Sequence, residues 1–376
     1  MGCKAKITVL IPTFNRAQYL QECLDSIFSQ TLPAAQIVVV NDGATDHTRR
    51  VLGPYMKSVE YFEIAQSGKP AAINYGLKKA SGDYLWIFDD DDVALPEALE
   101  RFVEPLETHP DYGFSYSTFF YTDTREEGGR IGNILSESQI PDLRERGFLI
   151  PLLENNFLGG AALFARTSCY AAVGNFDQRL LRSQDYEMAI RIARQFGGIR
   201  VAGGATFHYR QHKGMRGSLH DRFIASGRLG KWIEYNQIFF RELYHNLALT
   251  EYLPFGQSSG ECSRQGLIQR LAIMVSKYLL KEIETDLHEL EKFDGTNPFS
   301  DQEKAIIRNT CPVWTRCGSD CPEILNLVRR IAVFSPSVRR LREQIVRGIL
   351  ARLRKERDLH LIKNNILCLG RLYFRL

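Results

Sequence analysis

The stretch WIFDDDDVALP, at residues 86–96, places four consecutive aspartates directly after an apolar run. Adjacent carboxylates repel one another, so a positive charge must offset them. A divalent cation such as Mg²⁺ or Mn²⁺ would do so, because both prefer oxygen ligands and can keep positions open for phosphate oxygens. A solvated acidic turn or a helix N-cap is the alternative, since PEALERFV follows and acidic residues favour first helical turns. Four carboxylates exceed what a cap needs, so we expect a metal site at residues 89–92.

The elements in front of these aspartates alternate between strand and helix. AQYLQECLDSIFSQ (17–30) has an apolar helical face, and PAAINYGLKKA (70–80) begins with proline, as helices often do. The strand-like runs are ITVLIPTF (7–14), QIVVVNDG (36–43), VEYFEIA (59–65) and YLWIF (84–88). This alternation predicts a parallel α/β sheet with right-handed crossovers. Ligands sit beyond the carboxyl ends of such strands, so the residues at these ends should converge on one site. They are 12–15, 41–43, 65–69 and 89–92.

Five motifs together carry a resemblance to a known family. They are TVLIPTFNRAQYLQECLDSIFSQT, IVVVNDGATDHT, KPAAINYGLKKASGDYLWIFDDDDVALPEALE, GGAALFARTSCYAAVGNFDQRL and SQDYEMAIRI. Over roughly residues 5–220 the chain resembles a family 2 glycosyltransferase with the A-type, nucleotide-sugar-binding fold. The motifs come in the family's order and at its spacing. The resemblance implies an α/β fold with a Rossmann-like, mostly parallel sheet.

The resemblance and the changing pattern along the chain together suggest three parts. We expect residues 1–110 to be the nucleotide-sugar-binding part of the catalytic domain. Strands and long loops follow, and residues 111–225 would be its acceptor-binding and catalytic-base part. After about residue 226 the pattern is mostly helical. Residues 226–376 would therefore form a C-terminal helical domain.

The resemblance also implies which residues hold the donor. The base and ribose pocket would be lined by Pro12, Thr13, Phe14 and Asn15. If the donor is a UDP-sugar, Asp42 in NDGATD would accept a hydrogen bond from the uracil N3–H. The neighbouring Asn41 stands where the family usually has aspartate. Lys69, in the GKP turn, would lie near the diphosphate.

The four aspartates match the family's Asp-x-Asp-Asp signature. By resemblance, Asp91 would hold the metal, and Asp89 or Asp90 would bind the ribose. His212, in FHYRQHKGMRGS, would contribute to the metal or the diphosphate, and His208 is the competing choice. The cofactor we expect is therefore a divalent metal, Mn²⁺ or Mg²⁺.

Asp185 in SQDYE would be the general base by the same resemblance. An inverting transfer needs a base near the acceptor hydroxyl and an electrophile that stabilises the departing diphosphate. Asp185 opens an amphipathic helical pattern and is far in sequence from the aspartate run, so base and metal can lie on opposite sides of the anomeric carbon. Without the resemblance, the residue pattern favours a helix N-cap over a general base for Asp185.

These assignments predict an inverting, metal-dependent glycosyltransferase. The donor would be a nucleotide-sugar, in first place a UDP-sugar, and the acceptor a glycan or lipid-linked glycan. One alternative is a haloacid-dehalogenase-type phosphatase that uses Asp89 and Asp91, although that motif normally opens its domain and here about three strand units precede it. The other alternative is a non-catalytic nucleotide-sugar-binding protein.

Composition and cysteine usage bear on the compartment. No signal-type apolar stretch follows Met1, and no apolar run is long enough to span a bilayer. We therefore expect a cytoplasmic protein whose eight cysteines are reduced thiols. CPVWTRCGSDCP leaves a zinc site open, although it lacks a Cys-x-x-Cys pair. Its ligands would be Cys311, Cys317 and Cys321, with Cys262 as a fourth.

The end of the chain is strongly basic. Residues 324–376 contain 13 Lys and Arg residues against 3 Asp and Glu residues. In SVRRLREQIVRGILARLRKER (337–357), apolar residues recur every three or four positions. This pattern fits a core-packed helix with a solvated basic face, or a peripheral helix on the cytoplasmic face of the membrane, held by anionic headgroups. No nucleic-acid reader motif accompanies the charge, so we expect no nucleic-acid partner.

Overall fold

The computed structural model describes residues 5–125, 129–211, 228–254, 262–293, 299–310, 343–345 and 347–348. The chain divides into two compact units. The first comprises Met1–Asp142 and Asn155–Arg228, and the second comprises Leu143–Glu154 and Leu229–Leu376.

The described residues of the first unit form nine strands and six helices. The strands are β1 (Ile7–Thr13), β2 (Gln36–Asn41), β3 (Glu60–Glu63), β4 (Tyr84–Ile87), β5 (Val93–Ala94), β6 (Tyr112–Thr124), β7 (Ile131–Glu137), β8 (Leu163–Arg166) and β9 (Gly197–Arg210). The helices are α1 (Ala17–Phe28), α2 (Thr48–Leu52), α3 (Lys69–Leu77), α4 (Ala98–Thr108), α6 (Thr167–Val173) and α7 (Gln184–Gln195).

The second unit is helical in its described residues. Its helices are α5 (Leu149–Glu154), α8 (Arg228–Asn246), α9 (Cys262–Ser276), α10 (Leu280–Lys292) and α11 (Asp301–Thr310). Within the described ranges, we find no helix whose length and apolar content would allow it to span a bilayer. The predicted helical character after residue 226 is confirmed for the described part of this region.

One sheet runs through the first unit in the strand order β3-β2-β1-β4-β8-β6-β9-β5, with β7 paired to β6. The four front strands β3, β2, β1 and β4 are all parallel, as the alternating sequence pattern predicts. Strand β8 runs antiparallel to both β4 and β6, whereas β6 and β9 are parallel. The predicted α/β fold with a parallel Rossmann-like front half is confirmed.

Strand β4 is anchored in an aromatic core just before the aspartates begin. All four of its residues are buried, because apolar elements cover both faces of a central parallel strand. The Trp86 ring lies 4.4 Å from the Phe88 ring and 5.4 Å from the Phe102 ring, measured between centroids. Its indole Nε1 donates a hydrogen bond of 2.7 Å to the carbonyl oxygen of Ala161. The point at which the chain leaves β4 is therefore firmly fixed.

Helix α3 packs directly on the sheet and sets the position of Lys69. A Cβ atom added to Gly76 would lie 2.2 Å from Cδ1 of Leu10, so only glycine lets this helix approach β1 so closely. The residue before the helix, Gly68, has φ +92°, which an L side chain rarely adopts. The turn and the close approach together place Lys69 at the first helical position.

A buried polar group links three helical elements of the second unit. Nη2 of Arg270 lies 2.5 Å from Oδ1 of Asp286, whose side chain is fully buried. The Tyr244 hydroxyl donates a 2.9 Å hydrogen bond to the same oxygen. Burial raises the pKa of Asp286, while its hydrogen bond from Arg270 acts in the opposite direction. The charge is thus compensated inside the unit.

Candidate active site

The candidate site lies where three parallel strands end. β1 ends at Thr13, β2 ends at Asn41, and β4 ends at Ile87 just before the aspartates. Because these strands are parallel neighbours, their carboxyl ends share one edge of the sheet. The sequence motifs that follow each strand therefore meet there, as the sequence analysis predicts.

Three of the four aspartates bring their carboxylates together. Asp89, Asp91 and Asp92 each place one oxygen within 4.8 Å of the others, and they are the group of potential metal ligands found in the described part of the chain. Asp92 is buried, and its Oδ1 accepts a 3.0 Å hydrogen bond from the backbone N–H of Arg210. Carboxylates at this spacing suit a hard divalent cation.

Asp90 is separate from this group and lies in a different environment. Its side chain is buried. Burial raises the pKa of Asp90 to about 7, with the guanidinium of Arg16 opposing the rise and the charge of Asp91 adding to it. A ribose contact for Asp89 or Asp90 stays a prediction.

Two basic side chains of the protein form ion pairs with the aspartates. Arg16 forms an ion pair with the carboxylate of Asp91. Nζ of Lys69 lies 2.6 Å from Oδ1 of Asp89. Burial alone would lower the pKa of Lys69, but the carboxylates of Asp89 and Asp185 outweigh it, so the pKa is raised and the amine stays charged. The positive charge that the aspartates require thus comes partly from the chain itself.

A third cation, Arg210, holds the aspartate turn through its backbone. Its Nε donates a 2.6 Å hydrogen bond to the carbonyl oxygen of Asp91, and its Nη2 pairs with Oε2 of Glu22 at 2.5 Å. Sequence reasoning missed both Arg16 and Arg210. Arg16 directly follows the predicted base and ribose residues 12–15, and Arg210 lies between His208 and His212, but neither has a local signal that indicates a contact with the aspartates.

Asp42 ties the end of β2 to the turn before α3. Its Oδ1 accepts a 2.7 Å hydrogen bond from the N–H of Ser67, and its Oδ2 accepts a 2.8 Å bond from the N–H of Gly68. Burial raises the pKa of Asp42, and these two hydrogen bonds oppose the rise. Each carboxylate oxygen keeps a further lone pair that could accept a hydrogen bond, and the uracil contact stays a prediction.

The segment 12–15 forms one wall of the same strand-end region. Pro12 and Thr13 are buried in β1, while Phe14 and Asn15 are half-buried in the loop that follows. Asn15 has φ 51°, and its Oδ1 accepts a 2.8 Å hydrogen bond from the N–H of Thr45. Asn15 therefore shapes the loop after β2. Its predicted role at the base and ribose is untested, as are those of its three neighbours.

Asp185 lines the same pocket as Lys69 and Asp89. The pocket is lined by Lys69, Ile73, Ile87, Asp89, Gly159, Gly160, Leu163, Tyr170, Phe176, Gln184, Asp185, Met188 and Ala189. A Cβ atom at Gly160 would lie 3.4 Å from Oδ2 of Asp185, so the absence of a side chain there keeps the carboxylate accessible. Burial raises the pKa of Asp185, Lys69 lowers it, and Asp89 raises it further.

The N-cap explanation of Asp185 is wrong. Helix α7 begins at Gln184, and the residue before it, Ser183, has φ 58°. Asp185 is therefore the second residue of the helix, where its negative charge is favoured by the helix dipole. Its neighbour Glu187 is occupied, because both of its carboxylate oxygens bind Arg191, at 2.6 and 2.8 Å. Of these two acidic residues, Asp185 is the one that lines the pocket.

The remaining predicted ligands are not part of the described carboxylate group. His208 lies on β9, where its Nδ1 is 3.0 Å from the Thr122 hydroxyl. Burial lowers the pKa of His208, while the charge of Glu22 raises it and that of Arg210 lowers it. His212 lies outside the described residues, as do Cys311, Cys317 and Cys321 and most of the basic tail.

Comparison with known proteins identifies the class. Residues 8–171 match Glycosyl transferase family 2. An uncharacterized glycosyltransferase of Rickettsia felis is 30% identical over 191 residues, which are 50% of this chain and 31% of that protein. Glycosyltransferase GlyA of Streptococcus pneumoniae is 42% identical over 137 residues, 35% of this chain and 19% of its own. The chain thus spans about a third or less of these two relatives' lengths.

A solved structure shares the fold. The crystal structure of S. aureus TarS 1-349 in complex with UDP-GlcNAc superposes with a TM-score of 0.50 at 15% sequence identity, covering 91% of this chain and 89% of that one. Residues 8–171 are thus identified as a glycosyltransferase family 2 domain, and the fold is of the A type. The resemblance inferred from the motifs is confirmed, and this domain match argues against the phosphatase alternative.

Proposed function

We propose that this protein transfers a sugar from a nucleotide-sugar to a hydroxyl acceptor, with inversion at the anomeric carbon. One observation carries the proposal. One pocket is lined by Asp89, by its ion-pair partner Lys69 and by Asp185. A candidate diphosphate-binding group and a candidate general base thus share one pocket, as direct displacement requires.

The donor is best matched by a UDP-sugar. Asp42 stands buried at the end of β2 with lone pairs left for the uracil N3–H, and residues 12–15 form the adjoining wall. The TarS structure was determined with UDP-GlcNAc, which makes that compound the first donor to test. Lys69 would pass from Asp89 to the diphosphate when the donor binds.

The carboxylate ligands of the site fit a divalent metal, Mn²⁺ or Mg²⁺. Asp91 is the proposed ligand, with Asp89 and Asp92 close enough to share the ion and His212 as a further candidate. When bound, such an ion supplies positive charge that stabilises the diphosphate as it leaves.

The displacement itself falls to Asp185. The acceptor oxygen attacks the anomeric carbon, its proton passes to the Asp185 carboxylate, and the bond from the anomeric carbon to the diphosphate oxygen breaks. The nucleoside diphosphate leaves with the electron pair. Burial raises the pKa of Asp185, which makes its carboxylate a better proton acceptor than an ordinary aspartate, and the charge of Lys69 opposes the rise.

Two consecutive glycines line the pocket on the proposed acceptor side. Gly159 and Gly160 leave backbone exposed along the pocket, which suits the close passage of a sugar. We propose a glycan or lipid-linked glycan as acceptor, a peripheral membrane contact through the basic tail, and no nucleic-acid partner. Residues 1–110 would bind the donor, residues 111–225 the acceptor, and the C-terminal region from 226 would contribute the membrane contact.

A donor panel tests the proposal. UDP-, GDP- and dTDP-sugars are titrated calorimetrically into the purified chain with and without Mn²⁺. The proposal predicts that one UDP-sugar binds, and that the metal strengthens this binding. Failure of every nucleotide-sugar would contradict it. Binding without turnover on any acceptor would instead support a non-catalytic nucleotide-sugar-binding protein.

A further inference from the structure

The side chain of Arg16 is paired with Asp91, the residue that we predict to bind the metal. It forms an ion pair with the Asp91 carboxylate, and the two side chains are only 22% and 15% exposed. Burial would lower the pKa of Arg16, but the charges of Asp91, Asp90 and Asp89 raise it more strongly. The guanidinium is therefore a permanent charge that is held against the aspartate turn with little screening by solvent.

The backbone around Arg16 is fixed from both sides. Before it, Asn15 adopts φ 51° and is held by the loop after β2. After it, the N–H of Ala17 donates a 3.0 Å hydrogen bond to Oδ2 of Asp46, while the carbonyl oxygen of Arg16 accepts the first hydrogen bonds of α1. The side chain thus projects from a rigid corner at the end of β1.

The Arg16 guanidinium and a divalent metal ion cannot both bind the Asp91 carboxylate strongly at the same time. A divalent ion bound there would stand within a few ångströms of the guanidinium, and the two positive charges would repel. A diphosphate changes this balance, because its oxygens accept paired hydrogen bonds from a guanidinium as well as a carboxylate does. With nucleotide present, Arg16 would have a second anion to bind, and Asp91 would become available to the metal.

We propose that Arg16 is an internal counter-cation that competes with the divalent metal for Asp91, so that metal and nucleotide diphosphate bind strongly only together. The inference rests on the proposed metal-dependent donor site. Because such coupling is reciprocal, the nucleotide must raise metal affinity by the same factor by which the metal raises nucleotide affinity. In the cell, this would keep the site from trapping metal when no donor is bound.

A purely structural role for Arg16 makes the opposite prediction. If the ion pair only keeps the aspartate turn folded, removing the guanidinium loosens the turn and weakens metal binding. If Arg16 competes with the metal, removing it strengthens metal binding in the absence of nucleotide. The sign of the change therefore separates the two roles.

The test is a Mn²⁺ titration of the full-length chain, with free Mn²⁺ followed by electron paramagnetic resonance, with and without UDP. Arg16→Met keeps much of the apolar stem and removes the charge. We expect it to bind Mn²⁺ alone roughly 10-fold more tightly than wild type, and to lose most of the enhancement by UDP, within the usual range of coupling between sites. Arg50→Met, at an exposed arginine on α2, is the matched control and should leave both values unchanged.

A second variant covers the case in which Arg16→Met does not fold. Arg16→Lys keeps the charge but lacks the planar guanidinium that can donate paired hydrogen bonds to a carboxylate. Its ion pair with Asp91 should therefore be weaker, and the variant should bind Mn²⁺ more tightly than wild type. Equal or weaker Mn²⁺ affinity in the folded variants would overturn the inference. Absence of any Mn²⁺-enhanced UDP binding by wild type would instead count against the proposed donor site, and the two failures are thus distinguishable.

Discussion

The guanidinium of Arg210 lies against the backbone of Asp91, to whose carbonyl oxygen its Nε donates a 2.6 Å hydrogen bond. The Arg210 side chain is fully buried, and its Cζ atom lies 4.7 Å from the centre of the Tyr19 ring. Its charge is met by Glu22, a residue 188 positions away in the sequence. This pair joins α1, β9 and the aspartate turn, so the geometry of the carboxylates depends on it.

We predict that Arg210→Lys weakens Mn²⁺-dependent UDP binding by at least about 10-fold, because lysine cannot hold the Asp91 carbonyl and Glu22 together. Arg101→Lys is the matched control. Arg101 also donates to backbone carbonyls, those of Ala202, Gly204 and Ala205, but away from the aspartates. Both variants should lower stability in urea unfolding. Only Arg210→Lys should change the calorimetric affinity for UDP, and an equal loss in both would show that Arg210 acts through general stability alone.

Asp42→Asn should change the preference for the base. The carboxylate can accept from uracil N3–H, whereas an asparagine amide can donate to N3 of cytosine. We expect the ratio of UDP to CDP affinity to fall at least about 10-fold, since a wrongly paired polar group in a closed site costs roughly 1–3 kcal/mol. Competition titrations of the two nucleotides measure the ratio. A parallel loss of both affinities with an unchanged ratio would mean that Asp42 only anchors the turn at Ser67 and Gly68.

Asp185→Asn should stabilise the ligand-free protein at neutral pH. The folded pKa of Asp185 is raised, mainly by burial, so its protonated form gives stability that is present below the unfolded pKa and lost as the pH rises through the folded pKa. Asparagine is neutral throughout. The variant should therefore melt at a higher temperature than wild type at pH 7, and the difference should vanish near pH 3.

Asp177→Asn provides a control of the opposite sign. Its hydrogen bond from Arg179 lowers the pKa of Asp177, so this carboxylate gives stability above its unfolded pKa that is lost as the pH falls through the folded one. At pH 7 the variant should melt below wild type. Two variants that shift in the same direction would contradict the assigned charge environments.

In the second unit, Asp286→Ala should be strongly destabilising. It leaves Arg270, 14% exposed, without its buried partner, and removal of one member of a buried ion pair costs about 3–5 kcal/mol. Glu289→Ala, three residues further along α10, removes an exposed pair with Lys292 and should cost less than about 1 kcal/mol. Urea unfolding followed by circular dichroism compares the two. A similarly small loss of unfolding free energy in both variants would show that the Arg270 charge is stabilised by groups other than Asp286.

The front half of the fold could be predicted because its signals are local. Runs of β-branched residues, such as Ile37 to Val40, lie in buried parallel strands, and the helices between them require right-handed crossovers. The place where strand ends meet follows from that topology alone. Asp42, Lys69 and Asp89 were found near one another for this reason.

The charge partners within the site could not be predicted, because they depend on packing over long sequence distances. Arg16 and Asp91 are 75 residues apart, and Arg210 and Asp92 are 118 residues apart. Asp185 was open to an N-cap interpretation because the left-handed Ser183, which shifts the helix start, has no clear sequence signal. Nor did any local pattern indicate that Leu143–Glu154 joins the second compact unit.

The most direct test of the whole account is the rate at which the chain turns over its donor, compared between wild type and Asp185→Asn. Release of UDP from the donor identified by calorimetry is followed with Mn²⁺ and a panel of glycan acceptors. The account predicts that the variant binds donor with near-wild-type affinity and transfers at least about 100-fold more slowly, because only the proton acceptor is lost. Near-normal transfer by Asp185→Asn would contradict it.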